Sequence, residues 1–507
     1  MALTWQITII NFQPNHMKKA LLLILAITLY NTVFSQIINP GFEAARDTMP
    51  SMPKSWNTKK VEGFTLNLDT ALKYSGRQSL CIEGAQTVAQ GTFMPFSQIV
   101  TINVNNMKQV SLICYAKTQS VKGNVQLWCQ VWDKNNKMIG FQNSQMQNTM
   151  LTGTNDWKKL QLTLLVDTNA KRLLIGGFLL GSGSAWFDSF SIDDLPPPSV
   201  KATKEVTNLA NEIINLVKQN SIYKDSIAWP EVDKHIAELV RFTPSVDDAG
   251  LLTEYILSQL RKAGDNHSFY QNKTSAQQYT TGNSVPEQPY GKLLEGNIGY
   301  IFVPAFASIN DTASVNFAKK IQHFIRDLDT RQKIKGWIVD LRKDGGGNMY
   351  PMIAGLGAII NEGVLGYFVS PGSQPSTSTA WFYRNGSSGI NENKYVTVKK
   401  PYKIKNAKAK VAVLIGANTA SSGEMTAISF IGRQNTQLFG QPSGGFTTAN
   451  QMFTLSNGAF LNLATSYVAD RNKKRYLVNI RPDIIVKPDD NVTIDATLNT
   501  ALSWVKQ

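Results

Sequence analysis

The hydrophobic pattern changes character twice along the chain. From Gln36 to about Asp194, short apolar or alternating runs recur, among them Ser111-Leu112-Ile113-Cys114-Tyr115, Val125-Gln126-Leu127-Trp128-Cys129-Gln130-Val131-Trp132 and Leu160-Gln161-Leu162-Thr163-Leu164-Leu165. Gly, Asn and Asp punctuate them, and this spacing predicts an all-β sandwich over residues 36–195. Leu195-Pro196-Pro197-Pro198-Ser199 is a stiff polar break and marks a domain boundary. Beyond it, Val206, Leu209, Ile213, Leu216 and Val217 repeat at helical spacing. Pro230 opens a second helix with Val232, Ile236, Leu239 and Val240 on its stripe, and a third is predicted from about Asp248 to Lys262, with Gly264 as its C-cap. These make a small helical subdomain, residues 200–275. From about 290 to 507 strands alternate with helices: Asn297–Val303, a stripe of Phe317, Ile321, Phe324, Ile325 and Leu328, then Gly336–Leu341, Met352–Ile360, Val411–Ile415 and a helix from about Ser422. Such alternation predicts parallel βαβ units, with a site beyond the carboxyl ends of the strands. The expected fold is multidomain: sandwich, helical subdomain, α/β core.

The first 35 residues stand apart. Met17-Lys18-Lys19 precedes a short apolar run, Ala20 to Ile27, and Val33-Phe34-Ser35 before Gln36 has the small residue of a cleavage site. This is the pattern of a signal peptide behind an upstream extension, residues 1–35, too short to be a stable span. A retained anchor is the competing reading. An exported protein is expected, periplasmic, cell-surface or extracellular, with no transmembrane anchor after signal removal; no Cys follows the apolar run, which argues against a lipoprotein. The formal net charge is +15, but Lys and Arg are scattered and form no stripe, so no nucleic-acid partner is expected. The charge reads as a solvated basic surface, with an acidic partner or envelope surface as the alternative. Cys81, Cys114 and Cys129 are the three cysteines. Cys114 and Cys129 fall on neighbouring predicted strands, so a disulfide and three buried thiols both remain open. No zinc-ligand spacing is present, and neither metal nor cofactor is expected.

Histidine limits the chemistry, since the chain holds four. His16 lies upstream of the signal pattern. His235 and His323 sit inside helical patterns, the first packed or half-exposed, the second solvated. His267, in Gly264-Asp265-Asn266-His267-Ser268-Phe269, stands on a turn and is the candidate base. A glycine run in Asp340-Leu341-Arg342-Lys343-Asp344-Gly345-Gly346-Gly347-Asn348 directly follows a buried strand. It suits an oxyanion hole, because glycine lets a backbone N–H face a ligand. A plain turn fits as well; a phosphate loop does not, lacking its Lys-Ser/Thr. Thr419-Ala420-Ser421-Ser422-Gly423-Glu424 follows another buried strand and puts Ser421 or Ser422 at a helix N-terminus. Ser421 with Glu424 three residues on is equally a capping box. Nucleophile, base and oxyanion site together point to acyl transfer.

Residues 294–486 resemble the catalytic core of the tail-specific (C-terminal processing) protease family. The matching stretches are Gly296-Asn297-Ile298-Gly299-Tyr300-Ile301, Asp340-Leu341-Arg342 with its Gly run, Thr419 to Glu424, Leu438-Phe439-Gly440-Gln441-Pro442 and Arg481-Pro482-Asp483. The resemblance implies an α/β serine peptidase core over 290–507, with Ser421 as nucleophile, Ser422 lending its N–H to the oxyanion hole, and Gly346 or Gly347 as second donor. Many members place a Lys base where this chain has Gly444-Gly445-Phe446-Thr447-Thr448, with no Lys. The tricorn-like branch uses a His from the preceding helical region, and Asp265-Asn266-His267-Ser268 is similar to that site, which implies His267 as base. Asn266 and Tyr476 stand where that branch has an orienting Ser and Glu. Asp470 is then a candidate orienting acid, or a solvated loop acid, and Glu424 is a second candidate for orienting or substrate contact. Arg342 and Arg481 are candidates for receiving a substrate carboxylate or for structural ion pairs. Thr274 to Tyr290 is too short and too polar for the family's common PDZ domain. The implied activity is that of a serine-type endopeptidase or carboxy-terminal processing peptidase acting on peptide or unfolded protein.

The N-terminal segment resembles galactose-binding-like jelly rolls, through Asn39-Pro40-Gly41-Phe42-Glu43, Pro53-x-x-Trp56, Tyr74-Ser75-Gly76-x-x-Ser79-Leu80 and Ala185-Trp186-Phe187-Asp188. That resemblance implies a carbohydrate as candidate ligand; Trp128, Trp132 and Trp157 either stack on it or fill the core. Two other functions compete with the peptidase. One is a catalytically inactive relative that binds peptide or glycan in the envelope. The other, glycoside hydrolysis, needs a facing carboxylate pair that the sequence does not supply.

Overall fold

Alternation sorts the side chains of the longest strand, Lys108–Trp132, in a computed structural model of the chain. In its first half Val110, Leu112, Cys114 and Ala116 enter the core; in its second half Val125, Leu127, Cys129 and Val131 do. The inward set switches from even to odd numbers because register shifts between Ala116 and Val125 reset the pleat. The first half pairs with Gly183–Leu195 and Leu151–Val166, the second with Arg172–Leu180 and Met138–Asn143, all antiparallel. Ser79–Gly84 and Phe64–Asp69 extend the first ladder. Phe93–Thr101 and Asn57–Thr58 extend the second. Both line one apolar core, so a single bent strand serves two ladders.

The structure describes residues 37–507 apart from 89–90, 197–202, 241–242, 244, 283–286, 373–377 and 488–493. The signal pattern at 1–35 and most of the proline break therefore lie outside the described residues. Two readings of the β segment change. Cys114 and Cys129 share the Lys108–Trp132 strand rather than lying on neighbours, and all three cysteines are buried free thiols. Trp128, Trp132 and Trp157 are half-buried and outside the core, because Leu127, Cys129, Val131 and Leu160 take the inward positions of the pleat.

The chain forms two compact units, one up to Pro196 and one from there to Gln507, with Met146–Asn148 grouped with the second. In the second unit, Ile298–Phe302, Gly336–Asp340, Lys410–Ile415, Thr436–Gly440 and Ile484–Ile485 run parallel, with Tyr290–Leu294 antiparallel at one edge. Its central strands are apolar on both faces because both are covered. Asp311–Arg331 and Met349–Ile360 pack on one face, against Ile301, Val339, Val413 and Ile415. Ala496–Lys506 packs on the other, against Tyr300, Ile338, Ala412 and Leu414. Among the described residues no helix is long and apolar enough to cross a membrane.

A second, eight-stranded sheet departs from the expected βαβ pattern. Its path is Phe269–Gln271, Phe460–Asp470, Gly363–Val369, Thr379–Arg384, Ser387–Ile390 and Asn393–Thr397, antiparallel throughout, with Thr448–Thr454 and Arg475–Tyr476 also on Phe460–Asp470. Asn385 and Gly386 both take positive φ and close one of its hairpins, as Asn-Gly does in a tight turn. Phe269–Gln271 directly follows the helices Lys204–Asn220, Trp229–Leu239 and Gly250–Ala263. Its pairing with Phe460–Asn462 ties the helical segment to this sheet.

Candidate active site

His267 is held by the chain around it. Gly264, at φ 112°, ends the Gly250–Ala263 helix and turns the backbone out. The buried Asp265 carboxylate accepts the N–H groups of His267 and Ser268, each at 2.9 Å. Asn450 Nδ2 donates to the His267 carbonyl at 2.8 Å. The ring thereby faces the end of Lys410–Ile415, and its Nε2 lies 2.9 Å from Ser421 Oγ. Its Nδ1 lies 2.8 Å from Thr448 Oγ1. Phe446 packs edge-on against the imidazole, with ring centroids 5.4 Å apart. Burial pushes the His267 pKa down to about 4, opposed by the Thr448 contact. The imidazole is therefore neutral at pH 7.

Ser421 sits at φ 52°, ψ −119°, a conformation rarely adopted by a residue with a Cβ. It stands between the end of the Lys410–Ile415 strand and the Ser422–Ile428 helix, and the strained turn presents its hydroxyl. The capping-box arrangement with Glu424 is there, yet the hydroxyl also meets the histidine. Glu424 does more than cap. Its buried carboxylate accepts Ser421 N–H at 2.9 Å, Ser443 Oγ–H at 2.5 Å, Gly445 N–H at 3.0 Å and Phe446 N–H at 2.8 Å. Burial raises its pKa, while these four donors hold the charged form. Glu424 thus fixes both the serine turn and the segment leading to Thr448.

The glycine loop lies directly against the serine. Gly346 has φ 107°, and a Cβ there would come within 2.8 Å of Ser421 Cβ. Gly347 has φ 110°, and its Cβ would meet Phe306 O at 2.2 Å. Ser422 Oγ–H donates to Gly347 O at 2.8 Å, and Ala420 N–H to Asp344 O at 3.0 Å. Gly346 N–H donates to Asp344 Oδ1 at 3.1 Å, so this amide is already engaged inside the loop. Of the two glycines expected as oxyanion donors, Gly346 therefore has its N–H committed to Asp344. The Ser422 N–H opens a helix and has no partner within it. Asp344 is fully buried with Oδ2 unpartnered, and burial lifts its pKa well above the usual carboxylate range.

Four expected site residues fall elsewhere or act otherwise. Asp470 is neither a solvated loop acid nor a partner of His267: it is buried and accepts from Asn472 N–H, Lys474 N–H and Tyr476 Oη–H, closing its own turn. Arg342 is locked between Asp340 and Asp495, which accept from Nε and from both terminal nitrogens. Arg481 is exposed, and Asp483 of the same motif accepts the Leu438 N–H at 2.8 Å. Glu424 positions backbone and touches no ring nitrogen of His267. Thr448 is the site residue that sequence reasoning missed. It lies in the segment noted for having no Lys, but its meeting with His267 depends on two strands converging on Phe460–Asp470.

The nisin-resistance protein of Lactococcus lactis subsp. lactis is 28% identical over 345 residues, which cover 66% of this chain and 98% of that protein. Among solved structures, a lipoprotein from Streptococcus agalactiae aligns with a TM-score of 0.46 and 25% identity, over 62% of this chain and 98% of that one. A photosystem II D1 C-terminal processing protease aligns with a TM-score of 0.40 and 13% identity, over 59% and 98%. Residues 297–486, which hold Ser421, Thr448 and both glycines, match the model of peptidase family S41, so this chain carries a peptidase family S41 domain.

Proposed function

We propose that the chain is an exported serine peptidase that cleaves peptide bonds by acyl transfer, with Ser421 as nucleophile and His267 as base. The observation that carries this reading is the 2.9 Å approach of His267 Nε2 to Ser421 Oγ, between residues 154 apart in sequence. A helix cap needs no imidazole, and a buried imidazole needs no strained serine. A neutral His267 with its proton on Nδ1 donates to Thr448 Oγ1 and turns an Nε2 lone pair to the serine. As Ser421 Oγ attacks the peptide carbonyl, its proton passes to Nε2. The carbonyl oxygen becomes an oxyanion beside the Ser422 and Gly347 amides. The imidazolium then protonates the leaving amine, and water, deprotonated by the same nitrogen, releases the acyl-enzyme.

A His base without a Lys supports the tricorn-like branch of tail-specific proteases, acting on peptide or unfolded protein. Nisin is a second substrate to assay, given the similar nisin-resistance protein. The outward aromatics of the N-terminal unit support a glycan ligand there, tested by polysaccharide retention of a Trp157→Ala variant. The test of the main reading is peptide cleavage and fluorophosphonate labelling of the wild type, Ser421→Ala and His267→Ala. Cleavage and labelling lost in both variants uphold it. Either variant working at the wild-type rate, or a wild type inert to the probe, ends it in favour of an inactive binding protein.

A further inference from the structure

The lysines that look scattered in sequence gather at one pole of the α/β sheet. The segment 399–408 feeds the amino end of Lys410–Ile415, and residues 332–335 feed the amino end of Gly336–Asp340. These strands are parallel neighbours, so both feeding segments lie at the end of the sheet opposite Ser421 and the glycine loop. Lys333, Lys335, Lys399, Lys400, Lys403, Lys405 and Lys408 are all exposed there.

Their backbone is fixed from below. Ile404 and Ala409 are buried. Tyr402 Oη–H and Lys405 N–H both donate to the buried Asp329 carboxylate, at 2.8 and 2.7 Å. Arg326 adds a cation over the Tyr402 ring, 5.6 Å from its centroid. The acids of this pole scarcely offset the charge: Asp329 is covered, Asp327 pairs with Arg331, Glu295 pairs with Lys506, and Glu362 is exposed. Attraction summed over so many like charges is wasted on a single small anion and suits an extended negative surface.

We infer that this basic pole is a docking surface for an anionic lipid bilayer, which would leave the Ser421 end of the sheet facing away from the membrane. Lysine heads on flexible stems give a diffuse positive field and no planar fork for one phosphate, which matches a plane of headgroups. Tyr402 is half-buried, with Arg326 over its ring and the core beside it, so it is a poor platform for base stacking, which disfavours a nucleic acid.

The test is sedimentation of the purified full chain with phosphatidylglycerol–phosphatidylcholine vesicles and with phosphatidylcholine vesicles alone. Binding is expected only with the anionic lipid at low salt, and lost at high salt. Lys399→Gln, Lys403→Gln and Lys408→Gln combined should lower partitioning on the order of a hundredfold, taking each lysine at about a fivefold effect. The control removes the same charge from exposed lysines of the N-terminal unit, Lys122→Gln, Lys158→Gln and Lys159→Gln, and should retain partitioning. No binding to anionic vesicles, or equal loss in the control, overturns the inference. So does capture by inorganic polyphosphate without capture by vesicles, which would make the partner a soluble polyanion.

Discussion

His267 Nδ1 meets the hydroxyl of Thr448 at 2.8 Å, the place where a triad would put a carboxylate. A hydroxyl can orient the ring and select its tautomer. It cannot neutralise the imidazolium that forms when Ser421 gives up its proton. Thr448→Val should therefore lower kcat roughly ten- to a hundredfold with KM little changed. Thr448→Ser should recover most of the loss. Steady-state kinetics on one peptide substrate decide it: if Thr448→Val matches the wild type, the hydroxyl does not position the ring.

The depressed pKa of His267 sets a pH profile. The base works unprotonated, so kcat/KM should hold as pH falls through 6.5 and be lost only near pH 4. Stability is linked to the same proton. Above the unfolded value of about 6.5 neither state binds it; between there and about 4 only the unfolded chain does. This single group should therefore withdraw on the order of 3 kcal/mol of stability across that window. Thr448→Asp supplies the missing charge and should move the acidic limb of activity upward. An acidic limb near 6.5 in the wild type would show the ring to be solvated.

The main lines were legible where chemistry is local. Ser421 and Glu424 stand three apart, a spacing that brings them together in the first turn of any helix. Gly346 and Gly347 follow an apolar strand, and their positive φ is a property glycine alone supplies cheaply. Thr448 was hidden because its partner arrives through a strand 181 residues away. Asp470 was misread for a related reason: an acid beside Arg471 looks solvated until Tyr476 folds over it from the next strand. The eight-stranded sheet was missed because its pairings join strands far apart in sequence around Phe460–Asp470, although Asn385-Gly386 and Asn457-Gly458 each carry a local hairpin signal.

Gly346→Ala tests the glycine loop. The substitution forces a left-handed conformation on a residue with a side chain and sets its Cβ 2.8 Å from Ser421 Cβ. The serine turn or the loop must move, and displacements near 1 Å at a reacting atom lower rates by about a hundredfold. The expected result is a fall of that order in kcat and in the rate of fluorophosphonate labelling, with circular dichroism unchanged. Labelling at the wild-type rate would place the loop outside the reaction.

Arg342 separates structure from substrate binding. Its guanidinium bridges Asp340, 5% exposed, and Asp495 at the start of the Ala496–Lys506 helix. The two carboxylates already occupy the guanidinium fork, so a substrate carboxylate finds no open edge. Removing the cation leaves Asp340 buried beside Tyr300, whose hydroxyl donates to it at 2.7 Å, and no longer paired with a positive charge. Arg342→Ala should therefore lower stability by about 3 kcal/mol in urea unfolding and leave KM unchanged in the fraction that remains folded. Arg481, exposed at the surface, should tolerate Arg481→Ala with stability within about 0.5 kcal/mol of the wild type. A rise in KM for Arg342→Ala at unchanged stability would return this arginine to the substrate, because an ion pair that holds the fold cannot be removed without weakening it.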